Sequence, residues 1–221
     1  MIIDNTYFKG EIYLPFSAPS VSDDIKRTEE DVTEFINDYS RDVLLKSLGT
    51  TLFIELESQL DDTEENGLID GADSKWDELL NGKVYTNPEG EDVIWRGIRY
   101  KSKSTSVYNR SFIANYVYVY HESNSFITRS EIGNQIQMGK NGETVVPNQK
   151  VVKSWSKFVK LVQGDEVKPN IVRGCGVDYF NAGGSDVSMY KFINDSNNLV
   201  EDTYIGFNPK TWNDEVNEFG I

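Results

Sequence analysis

Residues 29–49 read EEDVTEFINDYSRDVLLKSLG, and their apolar spacing is helical. Val32, Phe35, Ile36, Tyr39, Val43 and Leu44 recur at intervals of three and four, which places them on one face of a helix. Thr28 stands before an acidic first turn with Asp31 three residues on, a capping pattern that predicts the start of the helix there. Gly49 ends the run, and Leu52, Phe53, Leu56 and Leu60 mark a second helix after the break. The stretch 28–60 therefore predicts a packed helical core.

Downstream, a short helix surrounds Trp76, Leu79 and Leu80 and stops at Asn81-Gly82. Residues 83–86 and 93–96 flank NPEGED, which is turn chemistry, so a β-hairpin is expected. From 108 to 121 the pattern fits two periods. Tyr116, Tyr118 and Tyr120 alternate with Val117 and Val119 as in a strand, while Phe112, Ile113, Tyr116, Val117 and Tyr120 make a helical stripe. The length of the run, with no turn signal before Glu122, favours helix. Residues 123–146 are polar, carry Gly133, Gly139 and Gly142, and read as a long loop. Pro147 suits the first turn of a further helix whose apolar face is Val151, Val152, Trp155, Phe158, Val159 and Val162, ended by Gly164. Upstream, Ile2, Ile3, Tyr7, Phe8, Ile12, Leu14 and Phe16 are apolar, and Pro15 and Pro19 forbid a continuous helix. Such an arm either packs back on its own core or is donated to a neighbour. The expected fold is mainly α, a helical bundle with a small β-hairpin near 83–96 and long extended arms and loops. Its parts are an extended amino-terminal arm at 1–27, a helical core at 28–164 and a carboxyl-terminal extension at 165–221.

Composition limits function. Of 221 residues 12% are aromatic, too many for a disordered chain. With 22 basic and 36 acidic residues the net charge is −14, which opposes wrapping of nucleic acid. One cysteine, Cys175, precludes an internal disulfide framework. No apolar run approaches the roughly 20 residues that cross a bilayer. The opening MIIDNTYFKGE has neither a basic start nor a signal-type apolar block, so a soluble product of the cytoplasm is expected, without membrane partners.

Charge is unevenly placed. Residues 55–78, ELESQLDDTEENGLIDGADSKWDE, carry ten carboxylates and one lysine. Within them Asp62, Glu64, Asn66, Asp70 and Asp73 follow the donor spacing of a twelve-residue calcium loop, with Gly67 at the sharp turn and Ile69 at the apolar position. Glu64 is a methylene too long for its place, and Asp73 is too short to close the loop bidentately. A solvated acidic connection between two helices accounts for the stretch as well, so no metal is assigned. Opposite in sign, Lys150, Lys153, Lys157 and Lys160 fall on one face of the 147–163 helix, away from Trp155 and Phe158. Arg96, Arg99, Lys101, Lys103 and Arg110 meet no acidic residue between 93 and 121. Separated opposite patches suit head-to-tail association, which closes into a ring when the rotation allows.

Catalysis has little support. His121 is the single histidine, Cys175 lies between glycines in RGCGVDY, and Gly183-Gly184-Ser185 lacks the lysine of a phosphate loop. No enzyme, catalytic residue or cofactor is expected.

The helix at 29–49, followed by KWDELLNGKVY (75–85), VIWRGIR (93–99), SFIANYVYVYH (111–121), MYKFIND (189–195) and the closing NEFGI (217–221), resembles the head-to-tail connector proteins of tailed phages. These are adaptor or ring proteins of the virion neck, and the likeness is strongest to those of crAss-like and related Bacteroidetes phages. The resemblance covers most of the chain in order. It implies a mainly helical adaptor made in the host cytoplasm and located in the virion neck. About twelve copies would form a ring between portal and tail, through which DNA passes without specific binding. It implies the portal protein, tail or further neck proteins and other copies of the chain as partners, and brings no catalytic residues. Subunit contacts are then expected from Lys150, Lys153, Lys157 and Lys160, from the arm, and from Phe219 and Ile221 in the tail. The alternatives are a calcium-binding accessory module using 62–73, or a tail-completion or other neck component.

Overall fold

Gly49, with φ of 85°, divides the longest helical run into α1 (Asp23–Leu48) and α2 (Thr50–Glu57). The computed structural model describes residues 2–14, 23–64, 67–101, 109–125, 127–130, 133–136, 148–164 and 186–213. The last carbonyls of a helix lack partners of their own. Here the Asn208 amide donates to the Leu48 carbonyl at 3.1 Å and the Lys210 amide to that of Lys46 at 2.8 Å. A Cβ at position 49 would stand 2.8 Å from the Asn208 carbonyl oxygen, so the close crossing and the positive φ both require glycine. The helix starts five residues before Thr28, so 23–27 belong to α1 rather than to an extended arm. The run DDIK offers an acidic start as good as the one after Thr28.

Next comes α3 (Ser74–Asn81), capped by the Asp73 carboxylate, which accepts from the Lys75 amide. β1 (Lys83–Thr86) and β2 (Asp92–Trp95) pair antiparallel, with Tyr85 opposite Val93. β3 (Tyr100–Lys101) and β4 (Asn109–Arg110) form a second short ladder. α4 (Phe112–Ser125) follows. It leads into β5 (Ile127–Ser130) and β6 (Gly133–Ile136), an antiparallel hairpin where the sequence showed only a long loop. α5 (Asn148–Gln163) and α6 (Met189–Leu199) complete the set. The chain is thus mainly helical with small antiparallel hairpins.

α4 is the centre of the bundle, with α1 and α5 packed against it. Every residue from 111 to 120 is buried, so this part of the helix has no solvent-facing side. That is why its sequence carries two periods at once. Buried Asn115 is satisfied by donating to the Ser111 carbonyl (3.2 Å) and accepting from the Ser154 hydroxyl (3.1 Å). Tyr116 meets Phe158 at 5.0 Å between centroids and Trp212 at 5.8 Å, and its hydroxyl donates to Asp42 at 2.6 Å. Full burial of one such ring is worth about 1.5–3 kcal/mol, so this aromatic group is a principal source of cohesion between α1, α4 and α5.

Both chain ends depart from the expected division into arm, core and extension. Of the carboxyl-terminal stretch, 186–213 contribute Val187, Met189, Phe192, Ile193, Tyr204 and Trp212 to the core. α6 packs on the first hairpin, with Phe192 stacked on Trp95 at 5.6 Å. Trp212 is buried, and its amide and carbonyl pair with the Gln163 side chain at 2.9 and 2.7 Å. Of the arm, residues 2–14 form two 3-10 turns, Asn5–Tyr7 and Gly10–Ile12, that insert Ile3, Tyr7, Phe8 and Leu14 into the core. Of the two fates the sequence left open for the arm, residues 2–14 take the first and pack on the core of their own chain. Four buried apolar side chains tie it to its own bundle.

Candidate functional site

The acidic stretch begins where α2 unwinds. The Asp61 amide donates to the Gly67 carbonyl (3.0 Å), the Ile69 amide to the Gln59 carbonyl (2.9 Å), and Leu60 bridges Leu68, so 59–61 and 67–69 run back to back and close a loop. Asp61 accepts from the Thr63 amide (2.8 Å) and hydroxyl (2.7 Å), and these two bonds hold its carboxyl below the usual carboxylate pKa. Beneath the loop is a cleft of about 440 Å³ lined by Asp61, Asp62, Glu64, Tyr7 and Arg99 together with the start of the arm. Arg99 is buried there, and Gly67 leaves the space that its guanidinium occupies. Burial raises the pKa of the Tyr7 phenol, with the neighbouring Arg99 charge acting in the opposite sense.

The structure places four of the five residues whose spacing suggested a calcium loop. Asp62, Glu64 and Asp70 are exposed, and Asp73 directs its carboxylate to the Lys75 amide at 3.0 Å as the cap of α3. Asn66 lies outside the described residues. Among the described residues, no three or more His, Cys, Asp or Glu stand together so as to hold a metal ion.

Much of the acidic stretch is matched within the chain. Glu55 pairs with Lys75 at 2.8 Å, Glu57 with Arg41 at 2.9 Å and Glu78 with Lys83 at 2.8 Å. The basic run after Val93 is similarly engaged. Arg96 pairs with buried Asp186 at 3.1 Å, Arg99 is buried, and Arg110 is half-buried in β4. Lys103 lies outside the described residues. His121 is half-buried on α4, edge-on to Phe35 at 5.7 Å, which is a packing position. Cys175 and Gly183–Ser185 also lie outside the described residues, as do Phe219 and Ile221.

The lysine face of α5 forms as its spacing predicted. Lys150 is exposed and Lys160 half-buried, while Lys153 and Lys157 each reach a different oxygen of Glu11 at 2.7 Å. These two hydrogen-bonded ammonium groups pull the Glu11 pKa down to about 2. Sequence reasoning missed Glu11, an acid in a largely apolar arm. It also missed the buried set of Tyr85, Asp195 and Lys191. Lys191 bridges Asp195 at 2.8 Å and Glu89 at 3.0 Å. Burial opposes its charge, but these carboxylates more than compensate and its pKa lies above the ordinary lysine value. Lys191 and Asp195 are a local pair four apart on α6, but no local signal links them to Tyr85 and Glu89.

No family model matches the chain, and comparisons with curated proteins and with solved structures likewise returned no match. Among the described residues, no helix is long and apolar enough to cross a membrane.

Proposed function

We propose that this chain is a structural virion protein, a head-to-tail connector that assembles as a ring between portal and tail. The observation that carries this reading is that eight of its 22 cations are matched within the chain. In a chain of net charge −14, Arg41, Lys46, Lys75, Lys83, Arg96, Lys153, Lys157 and Lys191 are all held in ion pairs with carboxylates of the same chain. A surface of that kind repels phosphates, as a channel must if DNA is to slide through it without being gripped. The order of sequence blocks that resembles neck adaptors supports the same assignment, and the mainly helical fold agrees with what that resemblance implies.

Native mass spectrometry of the purified protein, alone and mixed with the portal of the same virus, tests the proposal. The expected result is a discrete oligomer near a dozen copies, formed alone or on the portal. A chain that stays monomeric in both conditions would overturn it.

A further inference from the structure

α5 has four lysines and no carboxylate in a strongly acidic chain. The face already holds one carboxylate, since Glu11 spans Lys153 and Lys157 with an oxygen 2.7 Å from each ammonium. That single group leaves much of the surface uncovered. The Lys153 side chain stays 58% exposed and Lys150 is exposed. Val152, next in sequence to Lys153, and Tyr13, two residues from Glu11, are large apolar side chains at 40% and 51% exposure.

We infer that this face of α5, edged by Tyr13, is the docking surface for the acidic loop of a second copy of this chain, with Glu64 and Asp70 as the incoming carboxylates. Charge complementarity selects the partner. Glu55, Glu57 and Glu78 are paired internally and Asp61 and Asp73 are hydrogen-bonded in their own turns, whereas Glu64 and Asp70 are exposed. The two surfaces of one copy meet different parts of the arm: Ile2, Ile3 and Asp4 line the cleft beneath the loop, while the lysines hold the later turn at Glu11. Donor loop and acceptor helix are different surfaces, so the contact can repeat head to tail from copy to copy, which is the arrangement a ring requires. A tyrosine at the edge of a charged patch suits a protein interface, where aromatic residues are enriched. This inference rests on the ring proposed above.

Two charge-reversed variants test it, Lys150→Glu/Lys153→Glu and Glu64→Lys/Asp70→Lys. Lys157 is kept so that Glu11 retains its less exposed partner. Sedimentation equilibrium in low salt should show association of either variant weakened at least tenfold, since like charges then face each other. An equimolar mixture should recover wild-type association, because each reversed surface meets its complement on the other variant. Circular dichroism confirms that both variants fold. Wild-type association that survives both reversals, or a mixture that stays dissociated, overturns the docking surface while leaving a ring through other contacts possible. Rescue into open chains that never close supports the surface and overturns the ring. Binding of a labelled DNA duplex by wild type that is lost in the lysine variant would reassign the face to nucleic acid.

Discussion

The Tyr85 hydroxyl donates to Asp195 Oδ2 at 2.9 Å, joining β1 to α6 between residues far apart in the chain. Asp195 also receives Lys191 at 2.8 Å, and its side chain is only 2% exposed. A carboxylate so enclosed is tolerable because both its oxygens are satisfied. Asp195→Ala leaves Lys191, itself 11% exposed, with Glu89 alone and should cost about 3 kcal/mol, whereas Tyr85→Phe removes one hydrogen bond to a charged group and should cost about 1.5 kcal/mol. Urea unfolding midpoints measure both. A loss below about 0.5 kcal/mol for Asp195→Ala would mean that water reaches this pair.

The crossing of Asn208 over Gly49 makes a second expectation. Gly49→Ala places a methyl against backbone that cannot move without breaking the amide bonds to Leu48 and Lys46. Gly71 has a similar φ of 78° but open space around it. Gly71→Ala should therefore lose only the left-handed penalty of about 1 kcal/mol, and Gly49→Ala at least about twice that. Equal losses in the two variants would show that residues 207–210 are not held against α1.

How much was legible in the sequence follows from the range of the interactions. The helices around Phe35 and Leu52, the break at Gly49, the hairpin at 83–96 and the lysine face of α5 are local patterns, and local spacing reports them. α4 was legible only by its length, because a helix buried on every side loses its 3.6-residue signature. The seating of Phe8 and Trp212 in the core, and the Glu11 contact with α5, join segments more than a hundred residues apart or come from stretches without periodicity. The calcium spacing illustrates the converse case. It records which residues recur, whereas backbone closure between Asp61 and Gly67 and the capping role of Asp73 determine where their oxygens point.

That loop gives a calcium-binding expectation of its own. With Asp73 committed to the Lys75 amide, millimolar calcium should leave the melting temperature of wild type and of Asp62→Asn equally unmoved. Differential scanning fluorimetry over a calcium titration reads this directly. A saturable rise of several degrees in wild type that Asp62→Asn abolishes would restore the loop as a cation site, since binding to the folded state alone raises stability with ligand concentration.

For the arm, Phe8 is wholly buried, and its removal is a core substitution. Phe8→Ala should lower stability by about 3–5 kcal/mol in a dilute, monomeric sample. If the arm were instead donated to a neighbour, the monomer would hardly notice the change and only the oligomer would weaken. Guanidinium unfolding at low protein concentration distinguishes the two.

The Glu11 contact has a pH signature. Its carboxyl has a pKa of about 2 when folded, against about 4.5 when unfolded, because Lys153 and Lys157 favour the charged form. A depressed acid stabilises the fold fully above its unfolded pKa and loses that contribution as pH falls towards its folded one. Glu11 and Lys153 are both more than half exposed, so solvent screening limits the effect to about 0.5–1 kcal/mol at neutral pH. Glu11→Gln should therefore be less stable than wild type by about that amount at pH 7, and the difference should shrink between pH 4.5 and pH 2. It should also shrink in 1 M salt, where the screening length falls to about 3 Å. Urea midpoints for the pair of proteins at pH 7, 4 and 3 follow the difference. A gap that stays constant across this range would mean that Glu11 acts through packing, and that its contact with the two lysines does not hold the arm.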